Sequence, residues 1–389
     1  MDLRKVILGL SASLLLANGS ASAQDKVKVG LILSLSGPGA VLGQEMKRGT
    51  DLALELLGGK LGGREAQFIY EDDQQKPEVG VQVAGKLVRS DSVAFVVGPS
   101  YSNVMMAVHG PVTRSKTFLL SPNPAPAPLA GEKCDPFYFA TPFQNDQPSE
   151  AMGKYANDQG LKRVYLMAPN YQAGRDFLEG FKRTFKGEVL GEVYTPLNQT
   201  DFSAELTTLR ASNPQAIFVA YPGGLGVQFV KQFAQAGLTG KVPLLTAFTV
   251  NGSVLPAMGE DAIGVKSASQ WAINLDNPGN KRFVAAFEKK YNSVPSEFAA
   301  QAYDVIMMVD SALKKTGGKV DDQNALRMAL KAADFESVRG AFKFNNNQHP
   351  VQDFYLLNVS KDSQGRLVQT SESLVAKGLS DIYAKECKM

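Results

Sequence analysis

Residue types able to do covalent chemistry are few in this chain and poorly spaced for it. Ser311-Ala312-Leu313-Lys314 has the Ser-x-x-Lys spacing in which a lysine activates a serine nucleophile, and Lys315-Thr316-Gly317 follows at once. Penicillin-interacting enzymes hold these two motifs far apart, so their abutting at one helix end reads as coincidence. No Gly-x-Ser-x-Gly elbow and no His-Glu-x-x-His occurs. His109, beside apolar Val108 in a helical pattern, and His349, in a polar turn, read as structural. Two His and two Cys are too few for a zinc or iron–sulfur centre on usual spacings, so no metal or cofactor is expected. Gly223-Gly224-Leu225-Gly226 lacks the Lys-Ser/Thr of a phosphate-binding loop. The chemistry does not point to an enzyme.

Residues suited to holding a ligand unchanged are better placed. Gly98-Pro99-Ser100-Tyr101-Ser102-Asn103 follows an apolar strand and opens a helix. A helix N-terminus offers unpaired N–H groups and partial positive charge, which suits a carboxylate. Tyr101 and Ser102 are therefore ligand candidates, although Ser102 could instead cap its own helix. Aromatic residues stand at the ends of later strands: Tyr171, Tyr221, Phe248 and Trp271. Converging on one cleft they would form a flat apolar slot for a planar ligand; otherwise they seal the sheet.

The elements that must position these residues alternate along the chain. Strands are expected at 26–33, 66–70, 93–97 and 117–120, with helices between them. Met46, Ala53, Leu56 and Leu57 form the inner side of the first helix, and Val81, Ala84 and Val88 that of the second. Near-continuous apolar strands alternating with helices predict a parallel sheet covered on both faces. The proline-dense segment from Pro122 to Pro148 breaks the rhythm. The alternation then restarts, with strands at 163–167, 216–220, 242–245 and 264–269 and a helix at 174–185. Three helices follow around 283–291, 296–315 and 322–332, and the tail reads as strands at 341–344, 353–359 and 366–370. Helices without strands of their own must cover an existing sheet, so the chain is expected to return to the first lobe there.

Length and charge agree with two lobes and narrow the partners. At 389 residues the chain exceeds what one hydrophobic core usually supports. Lys plus Arg number 41 against 38 Asp plus Glu, with no basic stripe, so nucleic acid is not an expected partner. Arg4 and Lys5, an apolar run from Val6 to Ala17, and Ala21-Ser22-Ala23 match a secretory signal over residues 1–23. The expected mature chain is exported and does not span a membrane. In an oxidising compartment, Cys134 and Cys387 are expected to form a disulfide rather than remain two free thiols.

In this order the motifs resemble those of the periplasmic solute-binding proteins of the leucine/isoleucine/valine-binding family, which feed ABC transporters. The resemblance rests on Gly30-Leu31-Ile32-Leu33-Ser34-Leu35-Ser36-Gly37-Pro38 with Gly43 and Gly49, then Asp72-Asp73 and Pro77. Gly98 to Ser102, Ser121-Pro122, Asp201-Phe202-Ser203 and Tyr303-Asp304 complete it, and it covers essentially the whole mature chain. It implies an α/β fold of two doubly wound parallel-sheet lobes joined by a three-strand hinge. The expected division is 24–143 with 274–348 in lobe one, and 144–273 with 349–389 in lobe two. It also implies that Ser102 holds a ligand carboxylate, that Asn123 to Ala125 add contacts, and that Tyr171, Tyr221 and Tyr303 close over the ligand. Leu42 falls where members often carry an aromatic. The implied partners are a small carboxylate and an inner-membrane ABC permease, with the protein a periplasmic monomer.

Two departures from the family pattern bear on the ligand. Amino-acid binders place an acidic residue after the strand that here runs Pro243 to Thr249, and no Asp or Glu occurs until Glu260. They also tend to keep a Thr near the position of Ala125. An ammonium buried without a counter-charge costs several kcal/mol. The expectation is therefore an aromatic acid, such as a benzoate derivative, phenylpropanoid or aryl keto acid. A branched-chain amino acid or amide, and a ligand-sensing role at a receptor, are the alternatives. Nothing in the spacing decides whether Gln44, Gln144 or Gln270 reaches the ligand.

Overall fold

A computed structural model describes residues 26–389; the expected leader at 1–23 lies outside the described residues. Apolar runs and amphipathic stretches alternate through the first part: β1 (Val27–Leu33), α1 (Ala40–Leu56), β2 (Lys60–Leu61), β3 (Arg64–Asp72), α2 (Pro77–Arg89), β4 (Phe95–Val97), α3 (Ser102–Thr113), β5 (Phe118–Ser121), α4 (Ala127–Ala130) and β6 (Tyr138–Ala140). These strands make one sheet in the order β2-β3-β1-β4-β5-β6, parallel apart from the β2–β3 hairpin.

The alternation then builds a second sheet. Its elements are α5 (Asp146–Asp158), β7 (Arg163–Pro169), α6 (Gln172–Thr184), β8 (Glu188–Thr195), α7 (Ser203–Ser212), β9 (Ala216–Val219), α8 (Gly224–Gln235), β10 (Leu244–Thr246), α9 (Leu255–Met258) and β11 (Lys266–Ser269). Helices α10 (Pro278–Tyr291), α11 (Glu297–Lys315) and α12 (Gln323–Ala332) return to the first sheet's side, where α10 and α11 pack on α1. At Gly49 a Cβ would stand 2.1 Å from the Ala299 carbonyl oxygen, so glycine is what lets α1 approach α11. The tail strands β12 (Lys343–Phe344), β13 (Pro350–Lys361) and β14 (Leu367–Leu379) then join the second sheet. Its order is β12-β13-β11-β10-β9-β7-β8, with β14 also on β13.

The architecture is thus two parallel-sheet α/β lobes, and the chain passes between them three times, between β6 and α5, between β11 and α10, and between α12 and the β12–β13 pair. Tyr138, Phe139 and Ala140 form a fully buried strand inside the proline-dense segment, which sequence rhythm alone did not mark. β8 also went unmarked: as the sheet's edge it is half-buried, and its Glu188, Gly191 and Glu192 break the apolar run. Leu56 and Val81, assigned to inner helix faces, are 52% and 39% exposed. Leu56 is the last residue of α1, and single exposed apolar residues are common on protein surfaces.

The crossings are held by buried polar groups. Arg339 Nη1 donates to the Pro142 carbonyl (2.8 Å) and to Gln352 Oε1 (3.0 Å), joining the first and third passages. Its guanidinium stands 3.7 Å from the Asp304 carboxylate, whose pKa burial raises to about 6 against the opposing pull of Arg339. Cys134 and Cys387 are joined by a disulfide that ties the loop after α4 to the chain's end. Among the described residues no helix is long and apolar enough to cross a membrane.

Candidate functional site

Doubly wound sheets bind ligands beyond the carboxyl ends of their strands, where neighbouring connections diverge to opposite sides. In the first sheet that point lies between β1 and β4, since β1 has β3 on its other flank. In the second it lies between β7 and β9, with β8 beyond β7. The two points face each other across a narrow cavity.

Lobe one contributes Leu42 from α1, Ser100, Tyr101 and Ser102 at the β4–α3 junction, Asn123 and Pro124 after β5, and Phe298 from α11. Lobe two contributes Tyr171, Ala173 and Phe177 around the start of α6, Pro222 after β9 and Phe248 after β10. Phe143 and Asn145 reach in from the first crossing.

Local backbone explains why these residues arrive there. Gly98 has φ 126°, and a Cβ on it would lie 2.0 Å from the Ile32 carbonyl oxygen. A side chain is thereby excluded, and the loop folds tightly over β1 to deliver Ser100 to Ser102. Tyr101, in extended conformation, is the N-cap of α3 and makes no side-chain capping bond; Ser102 is the first helical residue. Ser102 therefore does not cap its own helix. Its hydroxyl oxygen accepts from Asn145 Nδ2 at 3.2 Å instead. The Tyr101 hydroxyl donates to the Gly39 carbonyl (3.2 Å), and its burial raises its pKa, with Tyr171 and Asp73 adding to the effect.

Asn123 donates through Nδ2 to the Ser100 carbonyl (2.9 Å), which fixes the amide so that Oδ1 is its free acceptor. That oxygen is buried without a protein partner. Phe248 sits at φ 60°, a left-handed conformation costing about 1–3 kcal/mol in a non-glycine residue. Its ring is held between Phe143 (4.9 Å) and Phe177 (5.0 Å). Aromatic packing offsets strain that a smaller side chain would not.

Leu42, Tyr101, Ser102, Asn123, Tyr171 and Phe248 all line this one cavity. Three other candidates stand outside the cavity wall. Tyr221 shares the face of Ile217 and Val219 by strand alternation, and packs on Phe202 and Phe229 (5.1 and 5.3 Å). Thr195 donates to its hydroxyl at 3.2 Å. Its neighbour Pro222 lines the cavity instead. Tyr303 lies five residues beyond Phe298, about 140° around α11, and packs on Phe283 at 4.9 Å. Ala125 is wholly buried behind the wall, where its N–H donates to Asn145 Oδ1 (2.8 Å).

Trp271 likewise turns away, donating to Asn280 Oδ1 at 2.7 Å. Gln44 is bonded to the Leu35 carbonyl, Gln144 to Asp146 and Gln270 to Ser269, and none lines the cavity. His109 and His349 both pack against the Tyr138 ring, at 5.2 and 5.8 Å. Ser311 donates to the Asp334 carbonyl, and Lys314 pairs with Asp310 (2.7 Å). Among the described residues no group of three or more His, Cys, Asp or Glu is arranged to hold a metal.

No Asp, Glu, Lys, Arg or His is among the residues lining the cavity. Asp176 and Glu297 are buried carboxylates outside the wall, and Glu297 Oε1 has no protein partner. Asp176 accepts from Asn145 Nδ2 (2.8 Å), Gln172 Nε2 (2.8 Å) and the Ala127 N–H (3.2 Å); burial and the nearby Asp146 charge raise its pKa. Glu297 accepts from the Ser269 hydroxyl at 3.2 Å, and burial pushes it up to about 7. The arrangement offers hydroxyl and amide groups on one side, rings on the other, and no group set up to transfer a proton or attack a substrate.

Comparison with known proteins agrees with this geometry. The family described as periplasmic binding protein matches residues 26–365. The chain is 30% identical over 392 residues to Leu/Ile/Val-binding protein homolog 6 of Brucella melitensis, covering 97% of this chain and 99% of that protein. Its fold is similar to a solute-binding protein of an ABC transporter from R. palustris in complex with benzoate. That pair has TM-score 0.88 and 32% identity, covering 94% and 100% of the two chains. A solute-binding protein from Rhodopseudomonas palustris BisB5, in complex with 3,4-dihydroxybenzoic acid, is similar at TM-score 0.85 and 29% identity, covering 92% and 99%.

Proposed function

This chain belongs to the periplasmic binding protein family, whose members here compared are non-catalytic solute-binding proteins, and on that premise we propose that it captures a small aromatic acid for an ABC importer. The observation that carries the reading is the cavity's composition: rings on one side, uncharged donors on the other, and no charged side chain in the wall. A carboxylate suits the Ser102 hydroxyl and the uncapped N–H groups opening α3. A ring suits the slot bounded by Tyr171, Phe177 and Phe248. The benzoate and dihydroxybenzoate complexes of the similar solute-binding proteins support the same class.

Capture needs no chemistry. The ligand would bind the lobe carrying Ser102, and the opposite lobe would close its aromatic residues over the ring. Contacts spanning both lobes then shift an open–closed equilibrium. Export of the chain, a periplasmic location and delivery to an inner-membrane permease belong to this reading. A branched-chain amino acid is the second reading, favoured by the name of the Brucella relative. Its ammonium would be buried with no carboxylate in the wall, at a cost of several kcal/mol. Calorimetry with benzoate and with leucine separates the two. Benzoate is expected to bind at least about a hundredfold tighter, since several kcal/mol separate the ligands. Tighter binding of leucine would sink the aromatic-acid reading.

A further inference from the structure

Resting on the reading that an acid sits at Ser102, we propose that Asn145 is the positioning residue that commits the Ser102 hydroxyl to donating into the cavity. Asn145 is 1% exposed and lies on the first crossing between the lobes. Its amide has one permitted orientation. Oδ1 accepts from the Ala125 N–H (2.8 Å), which can do nothing but donate. Nδ2 donates to Asp176 Oδ2 (2.8 Å), and both Asp176 oxygens are taken by donors, Gln172 Nε2 on one and the Ala127 N–H on the other.

The fixed NH₂ group also donates to Ser102 Oγ at 3.2 Å. That bond occupies an oxygen lone pair and turns the hydroxyl hydrogen away from Asn145. Among the described residues no protein acceptor takes this hydrogen. Directed into the cavity, it would be met there by a ligand acceptor. A carboxylate or carboxamide oxygen would take this hydrogen; an ammonium would leave it unmet. Preference for an acid thus has a positive cause besides the missing counter-charge.

Lobe closure is tied to the same group. Ser102 and Ala127 belong to lobe one, while Asp176 belongs to α6 of lobe two. The amide is pinned from both sides when the lobes approach, so the donor becomes oriented as the cavity closes.

A double-mutant cycle on the full chain tests this, with benzoate affinity measured by calorimetry for the unaltered protein, Ser102→Ala, Asn145→Ala and the double variant. If Asn145 acts through Ser102, Asn145→Ala weakens benzoate by about tenfold when Ser102 is present and by less than about twofold when it is Ala. Equal losses in both backgrounds would show a general distortion of the cavity and overturn the inference. Should Asn145→Ala fail to fold, Asn145→Ser runs through the same cycle with the same criterion. Failure of the aromatic-acid reading looks different: the unaltered protein then binds leucine and not benzoate. The cycle is in that case run with leucine, whose carboxylate meets the same hydroxyl, and additivity again decides against Asn145.

Discussion

The two walls of the cavity are built on opposite plans. Lobe one brings Ser100, Tyr101, Ser102 and Asn123 on a tight loop and a helix start, so its hydrogen-bonding groups are placed by backbone geometry. Lobe two brings Tyr171, Phe177 and Phe248, the last two packed ring on ring, with Phe248 in a left-handed backbone. Directional bonds need fixed atoms and select the ligand's polar group. Apolar contact tolerates variation and rewards area, which suits a lid that closes last. On the proposed reading, selection would fall to one lobe and retention to the other.

Giving the apolar wall a charge should abolish the contrast. Phe248→Glu would set a carboxylate facing the ligand acid, and benzoate affinity is expected to fall by more than about a hundredfold, since an unpaired buried charge costs at least ~3 kcal/mol. Weak binding of phenylalanine should appear in the same calorimetric titrations. Unchanged benzoate affinity would place the ligand elsewhere.

The seam between the walls has its own pH signature. Glu297 opens α11 and accepts from Ser269 at the end of β11, so it joins the two lobes. Its carboxyl is raised to about 7 by burial, from an ordinary 4.5. The folded protein then holds a proton that the unfolded chain has released. Stability from this group is full below about pH 4.5, falls as pH rises, and levels off above about 7. Glu297→Gln should raise stability at pH 8 by up to ~3 kcal/mol and flatten the pH dependence. Denaturant melts at pH 5 and pH 8 would check it; a loss of stability at pH 8 would contradict it.

On the polar wall, Ser102→Ala should weaken every acid by at least about tenfold, because a hydrogen bond to a charged group is worth ~1.5–3 kcal/mol. An unchanged dissociation constant would remove Ser102 from the site. The smallest effect is expected at Asn123, whose buried Oδ1 lacks a partner. A ring hydroxyl would satisfy it, so Asn123→Leu should lower affinity for 3,4-dihydroxybenzoate relative to benzoate by about threefold to tenfold. Equal losses for both acids would show that this oxygen does not meet the ring.

Legibility in the sequence followed the same divide. Loop-borne residues of lobe one were readable, because Gly98-Pro99 before Ser100 to Ser102 marks a strand-to-helix turn and the turn dictates what it presents. Aromatic residues of lobe two were readable as a class but not one by one. Tyr171 and Phe248 face the cavity, while Tyr221 and Trp271, equally placed at strand ends, turn into the core. Asn145 carried no signal. Its meaning lies in partners 20, 31 and 43 residues away, brought together where the chain crosses between lobes.

Local pattern was enough to establish two α/β lobes and a helix start suited to an acid, because strand, turn and helix preferences act over a few residues. It was also enough to show that no acidic side chain follows the strand leading to Phe248. Which rings meet the ligand, which carboxylates lie behind the wall, and which way one serine hydroxyl points were decided in three dimensions. Those features depend on contacts between residues remote in the chain, and on burial that exists only once two sheets face each other.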